Sequence, residues 1–414
     1  MKRLIYPLSA LLFVHITCLA QQDSVIRQKV EVKQNTFTVD SSKQRDIIDF
    51  FARLFSKTNS TNENNIRAVA KKASFSVVPS VSYSLSTGYQ ADLTANAGFY
   101  TSKDHKENYS EITGDLTVDT KQQKISVFRS EIWFAGNEYK LVTDTRWERF
   151  PEDTYGLGTF TNTNGETNAI NFNYARSYIT FYKKISGDFY GGAGYDLDYH
   201  YDVTQGGNAD GSVSDFTKYG YSSTSLSAGI SLNLLFDNRK NLINPLNGGY
   251  ASVIYRANES FLGSNNNWQS LQFDFRRYIR VSPETNNNIL ALWGLFWFTR
   301  GDAPYLDLPG TGQDMFNNSG RGYIQGRFLG QNMLYIESEY RFGITANGLL
   351  GAVVFANAES LSEYPDNQFK KIVPAIGTGL RIKFNKHSNT NVCIDYGVGT
   401  NGSSGFFLNL GEIF

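Results

Sequence analysis

Four histidines and two cysteines in 414 residues leave little from which to build a metal site or a nucleophile. His15 and Cys18 fall in the apolar amino-terminal run, His105 and His387 sit in polar turns, and His200 lies in an aromatic segment. No spacing of His, Cys, Asp or Glu matches a ligand pattern. No nucleophile motif singles out a serine, so neither an enzyme nor a cofactor is expected. The chemistry on offer is ionic. Arg321 stands between two glycines in Asn317-Asn318-Ser319-Gly320-Arg321-Gly322-Tyr323-Ile324-Gln325-Gly326-Arg327-Phe328. Such glycines permit turns that other residues resist. A guanidinium takes several hydrogen bonds in a planar fork, which lysine cannot do. Glu337, Glu339 and Glu359 follow downstream as candidate acceptors.

The elements that must carry these groups have a period of two. In Phe75 to Ser84 the odd positions hold Phe75, Val77, Val81 and Tyr83, against serines on nearly every even one. Tyr89 to Tyr100 alternates in the same way. One face of such a strand meets apolar surroundings and the other meets water. On the segment 331–343 Leu334, Ile336, Tyr340 and Phe342 face out, which turns Glu337, Glu339 and Arg341 inward. On 348–360 Val354, Ala356 and Ala358 face out, leaving Phe355, Asn357 and Glu359 inside. On 371–384 Ile372, Ile376, Leu380 and Ile382 are external, and Gly377, Gly379, Arg381 and Lys383 internal. A mixed network of acids and bases below the arginine loop is expected.

Sixteen such segments can be counted between Ala73 and Phe414, the last of them 404–414. Connections at 137–138, 186–187, 345–348 and 385–389 are tight, whereas 150–168, 204–221 and 301–330 are long and polar. Turns at 102–108 and 237–247 interrupt the short side. An even strand count with short turns on one side and long loops on the other predicts an all-β fold, a 16-stranded antiparallel transmembrane β-barrel over 73–414. Composition agrees: aromatics make up 14% of residues, with 30 Phe and 25 Tyr, yet mean hydropathy is negative. After the leader no apolar run is long enough for a membrane-spanning helix. Net charge is zero and no basic block occurs, so nucleic acid is not an expected partner.

Residues 1–20 read as a cleaved signal peptide, with Lys2 and Arg3 before an apolar stretch and Cys18-Leu19-Ala20 before Gln21. Cleavage would leave Cys393 alone and make an internal disulfide impossible. Residues 21–72 form a polar segment. Within it a capping box, Ser41 with Gln44, opens a short amphipathic helix over 45–56, with Ile47, Ile48, Phe50, Phe51, Leu54 and Phe55 on its apolar face. Its apolar face could pack in the lumen, at the barrel rim, on a partner or at the membrane surface.

The Arg321-Gly322-Tyr323 loop resembles the Arg-Gly-Tyr/Phe motif of BamA/TamA-type outer-membrane barrels, the bacterial surface antigen family. Three further segments are similar to that family: Thr154-Tyr155-Gly156-Leu157-Gly158; Asp237-Asn238-Arg239 with Pro245 and Gly248-Gly249; and Glu339-Tyr340-Arg341. The resemblance implies that Arg321, Gly322 and Tyr323 dock on Glu337, Glu339, Phe355, Asn357 and Glu359. Asn357 stands where the family carries aspartate and Glu359 where it carries glycine, so Glu339 and Glu359 are expected to supply the missing charge. It also implies a Gram-negative outer-membrane location, with membrane lipid around the barrel. The implied activity is insertion or translocation of proteins or lipids, on nascent outer-membrane proteins or with a periplasmic or lipoprotein partner. Residues 21–72 are too few for a POTRA domain, which leaves substrate capture by such domains out of the reading. A seam between first and last strands would involve Pro79, either as a missing hydrogen-bond donor or as a bulge. It would also involve Phe414 on the outer face of the last strand, with Glu412 at headgroup depth. The alternatives from the same residues are a passive or plugged channel and a surface antigen or adhesin.

Overall fold

The computed structural model describes residues 44–46, 74–84, 86–104, 107–160, 167–281, 288–386 and 389–414. The expected signal peptide lies outside the described residues, as does the 21–72 segment with its helix, apart from Gln44–Asp46. Those three residues belong to no helix or strand. Arg45 N donates to Asn347 O (3.0 Å) and Asp46 accepts from Lys386 N (3.0 Å), which seats them on two tight turns.

Seventeen strands form one antiparallel sheet among the described residues. They are β1 (Ser74–Ser84), β2 (Gly88–Phe99), β3 (Ser110–Asp119), β4 (Lys124–Phe134), β5 (Tyr139–Arg149), β6 (Glu152–Thr154), β7 (Asn168–Ser186), β8 (Phe189–Asn208), β9 (Ser225–Asp237), β10 (Gly248–Asn258), β11 (Trp268–Arg280), β12 (Ile289–Gly301), β13 (Asn332–Gly343), β14 (Leu350–Leu361), β15 (Val373–Asn385), β16 (Thr390–Val398) and β17 (Ser404–Leu410). Sixteen make up the barrel wall, each paired with its neighbour in chain order. The three-residue β6 sits on the end of β7 inside a long connection. Two expected boundaries move. β8 runs on to Asn208, so the loop expected from 204 begins later, and it contains the helix α1 (Asp215–Gly220). The last strand stops at Leu410 rather than at the final residue.

Alternation decides which side each residue takes. Phe75, Val81, Tyr89, Phe181, Leu232, Ile336 and Ile376 are exposed on the outer face, where a bilayer would cover them. Inward residues make the buried interior. One cluster joins Tyr278, Trp293, Tyr335 and Phe414 to Tyr323 and Phe328 of the β12–β13 connection. A second gathers Phe150, Leu157, Phe172, Phe216, Trp268, Tyr305 and Leu329 under the long loops. The core of this molecule therefore lies inside the wall and is largely filled by its own loops.

The ladder through Pro79, which pairs with Leu93, keeps its register, so Pro79 marks no bulge. β1 and β17 lie side by side with Cα atoms within 8 Å. Among the described residues no ladder joins them, unlike every other adjacent wall pair.

Candidate functional site

The β12–β13 connection, residues 302–331, turns back into the barrel. Its base is braced by Thr311 N to Phe328 O (3.0 Å), Gly326 N to Thr311 O (2.9 Å) and Gly330 N to Pro309 O (3.1 Å). Its tip is tied by Asp314, whose carboxylate accepts from the amides of Phe316 (3.2 Å), Asn318 (2.8 Å) and Ser319 (2.7 Å). Gly320 (φ 80°) and Gly322 (φ 108°) then take left-handed conformations, where a side chain would be strained. A Cβ on Gly322 would also lie 2.8 Å from that of Ala375, so the backbone presses on the wall here.

Arg321 is 1% exposed. Its guanidinium ion-pairs with Glu337 and Glu339 of β13 and with Asp395 of β16, the last at 2.5 Å. The Phe355 ring of β14 lies beneath it, 3.8 Å from ring centroid to guanidinium carbon. Three carboxylates and an aromatic face surround one cation, each projected inward by strand parity. Around them runs a second ring. Arg341 pairs with Glu339, and Arg381 with Asp395. Both bases reach Glu412, at 3.5 and 2.8 Å. Tyr335 OH donates to Glu337.

The expected partners divide. Glu337, Glu339 and Phe355 meet the guanidinium. Asn357 does not; its side-chain amide donates to the Arg321 carbonyl (2.9 Å), fixing backbone rather than charge. Glu359 supplies none of the missing charge. It is buried and forms no ion pair with Arg321; among the described residues it accepts from Thr311 Oγ1, 3.0 Å from either oxygen. The third charge comes from Asp395. It was legible in principle, because Val392, Ile394, Tyr396 and Val398 alternate with it. Tyr323 is buried; its hydroxyl donates to Pro374 O (2.7 Å) and accepts from Thr400 N (2.9 Å). Lys383 bonds to Asn389, not to an acid.

Phe414 and Glu412 are misplaced by the sequence reading. Gly411 (φ 96°) ends the strand's alternation, and the chain after it bends into the lumen. Phe414 packs on Trp293 (5.2 Å between centroids), not on the outer seam. The Glu412 side chain is buried in the ring of charges, not on the outer apolar face.

The opposite wall holds the loop differently. Arg129 and Arg146 both donate to the Met315 carbonyl, at 3.2 and 2.9 Å. Asp307, in a 3-10 turn of the loop, accepts from Ser227 Oγ (2.6 Å) and faces His200 Nδ1 at 3.7 Å. Burial, and then the nearby Asp198, push the Asp307 carboxyl up to about 7. Between loop and wall remains a cavity of about 700 Å³, lined among others by Arg129, Arg176, Asp198, Met315 and Ile243. Among the described residues no group of His, Cys, Asp and Glu is arranged to hold a metal ion.

A long loop folded into a sixteen-strand wall and pinned by one buried arginine can be compared with solved barrels. The fold is that of BamA and CdiB. BamA from Haemophilus ducreyi lacking POTRA domains 1–3 is 14% identical with a TM-score of 0.51, over 82% of this chain and 69% of that one. CdiB from Acinetobacter baumannii is 12% identical (TM-score 0.52), over 82% of this chain and 60% of its own. CdiB from Escherichia coli is 10% identical (TM-score 0.52), over 82% and 62%. This chain therefore spans less than two thirds of either CdiB structure. No family model and no curated protein matches the sequence.

Proposed function

We propose that this chain is an outer-membrane barrel, exported with a signal peptide at residues 1–20, that assists insertion or translocation of polypeptides. The observation that carries the reading is the pair β1 and β17, adjacent yet without a ladder, in a wall where every other adjacent pair is hydrogen-bonded. Strand edges left unpaired offer backbone groups to an incoming chain. The likeness to BamA and CdiB supports the same direction. In this reading the Arg321 seat holds the loop inside the lumen, and Gly322 and Tyr323 dock beside it. The seam is the moving part, flanked by Pro79 on one side and by the strand leading to Phe414 on the other. Clients would be unfolded outer-membrane proteins, with lipid as the surrounding medium.

The test is reconstitution in liposomes with an unfolded outer-membrane barrel as client, followed by protease protection. Cysteines introduced at Val77 and Leu410 and joined across the seam should abolish assisted insertion, and reduction should restore it. Unimpaired activity with the seam joined contradicts the reading. Large steady conductance of the unmodified protein in planar bilayers would favour a passive channel.

A further inference from the structure

The connection between β9 and β10, residues 238–247, ends six strands along the wall from β16. At about 4.8 Å per strand that arc is roughly 29 Å. Its root is stiff. Arg239 donates twice to Asp237 (2.9 and 2.8 Å) and lies over the Tyr250 ring (4.6 Å). Asn238 Oδ1 accepts from Gly249 N (2.7 Å), and Gly248 takes φ 102°. Asn241 Oδ1 then accepts the amides of Ile243 and Asn244, both at 2.9 Å, shaping the tip.

That tip meets the other side of the barrel. Ile243 O accepts from Glu412 N (3.0 Å), and Asn244 Nδ2 donates to Asn389 O (3.2 Å). Leu246 packs on the cluster holding Tyr278, Trp293 and Phe414. The same tail is gripped from the loop side, where Asn318 Nδ2 donates to Ile413 O (2.7 Å). Residues 411–414 are thus clasped between the inward loop and this connection. Leu242 and Ile243 line the cavity from below while remaining exposed, 56% and 44%. A connection serving only to join two strands needs two to five residues and no contacts across the barrel.

We infer that residues 238–247 are a strap across the short-turn end of the barrel, holding the tail 411–414 in the lumen and releasing it when that end opens. Tail, strap and loop form one clasp. Breaking the strap removes one hold on the tail, which Arg381 and Arg341 still grip through Glu412 and the Phe414 carbonyl, and it removes no ion-pair partner of Arg321.

Cys393 is a built-in reporter. It is fully buried, and its thiol donates to Gly411 O at 3.0 Å, directly beneath the tail. In a Cys18→Ser background, a water-soluble maleimide should label Cys393 slowly in the folded protein. Replacing residues 241–246 by two glycines should raise the labelling rate about tenfold or more, as expected for a local opening made easier. It should also lengthen single-channel openings in planar bilayers. Asn244→Ala should shift both in the same direction by a smaller factor. Heat-modifiable gel mobility reports whether each variant keeps its barrel. Should the replaced strap prevent assembly, Asn244→Ala decides alone. Unchanged labelling and conductance in folded variants overturn the inference.

Discussion

Two walls of one lumen carry dense ionic networks, and only one of them behaves as a seat. On β4, β5, β7, β8 and β10, wall arginines answer wall aspartates: Arg146 with Asp144 at 2.7 Å, Arg256 with Asp198 at 2.5 Å, and Arg176 with Asp198 at 3.2 Å. The loop touches this side through the neutral Met315 carbonyl, the Phe316 ring facing Arg129, and Asp307. On β13, β14 and β16 the wall presents Glu337, Glu339 and Asp395, and the cation among them belongs to the loop. Charged side chains inside a barrel are ordinary, since inward positions face water. What distinguishes a docking site is that one partner arrives from another segment and becomes dry. Removing such a partner leaves buried charge without compensation, which costs about 3–5 kcal/mol.

The largest effect should come from Arg321→Ala. The inward loop should become protease-sensitive and the barrel less stable by about 3–5 kcal/mol, read from denaturant unfolding in micelles. Arg321→Lys should recover only part, because an ammonium cannot match three carboxylates in a plane. Asp144→Asn should also destabilise the wall, yet leave loop proteolysis near its starting rate. If Asp144→Asn and Arg321→Ala expose the loop equally, the two walls do not differ as argued.

A smaller effect sharpens the seat itself. Asn357→Asp introduces the residue expected from the family resemblance, but here it should weaken docking by about 1–3 kcal/mol. The substitution deletes the donor to the Arg321 carbonyl and sets one acceptor against another. Stabilisation by Asn357→Asp would mean that its role is electrostatic after all.

The opposite wall supplies the smallest effect, a pH dependence. The Asp307 carboxyl is raised from 3.8 to about 7 in the docked loop. A raised acid favours the docked state at low pH: its contribution is complete below about pH 4 and fades as pH rises through about 7. Protection of the 302–310 limb from proteolysis should therefore decline between about pH 4 and 7 and level off above, and Asp307→Asn should flatten that decline.

Strand parity carried most of what could be read beforehand. It placed Glu337, Glu339, Arg341, Phe355 and Arg381 inside, because every second neighbour was apolar and needed the bilayer. The same rule reaches Asp395 once Val392 to Val398 are read as alternating. It fails after Gly411, where a left-handed turn ends the strand and sends Glu412 and Phe414 inward. The Asn357 amide and the Glu359–Thr311 contact lay beyond it as well. Parity tells which side a residue faces, not which atoms of a folded-back loop will meet it. The strap was out of reach for the same reason, since hydrogen bonds between segments six strands apart leave no local trace.

The central claim is that one loop guanidinium is held by wall carboxylates in the lumen, and the Arg321–Asp395 pair tests it most directly. A double-mutant cycle with Arg321→Ala and Asp395→Ala, read by denaturant unfolding of the micelle-bound barrel, should give a coupling of about 2–3 kcal/mol. The loop should be protease-sensitive in both single variants and little worse in the double. Additive effects, with a coupling below about 0.5 kcal/mol, would contradict the account.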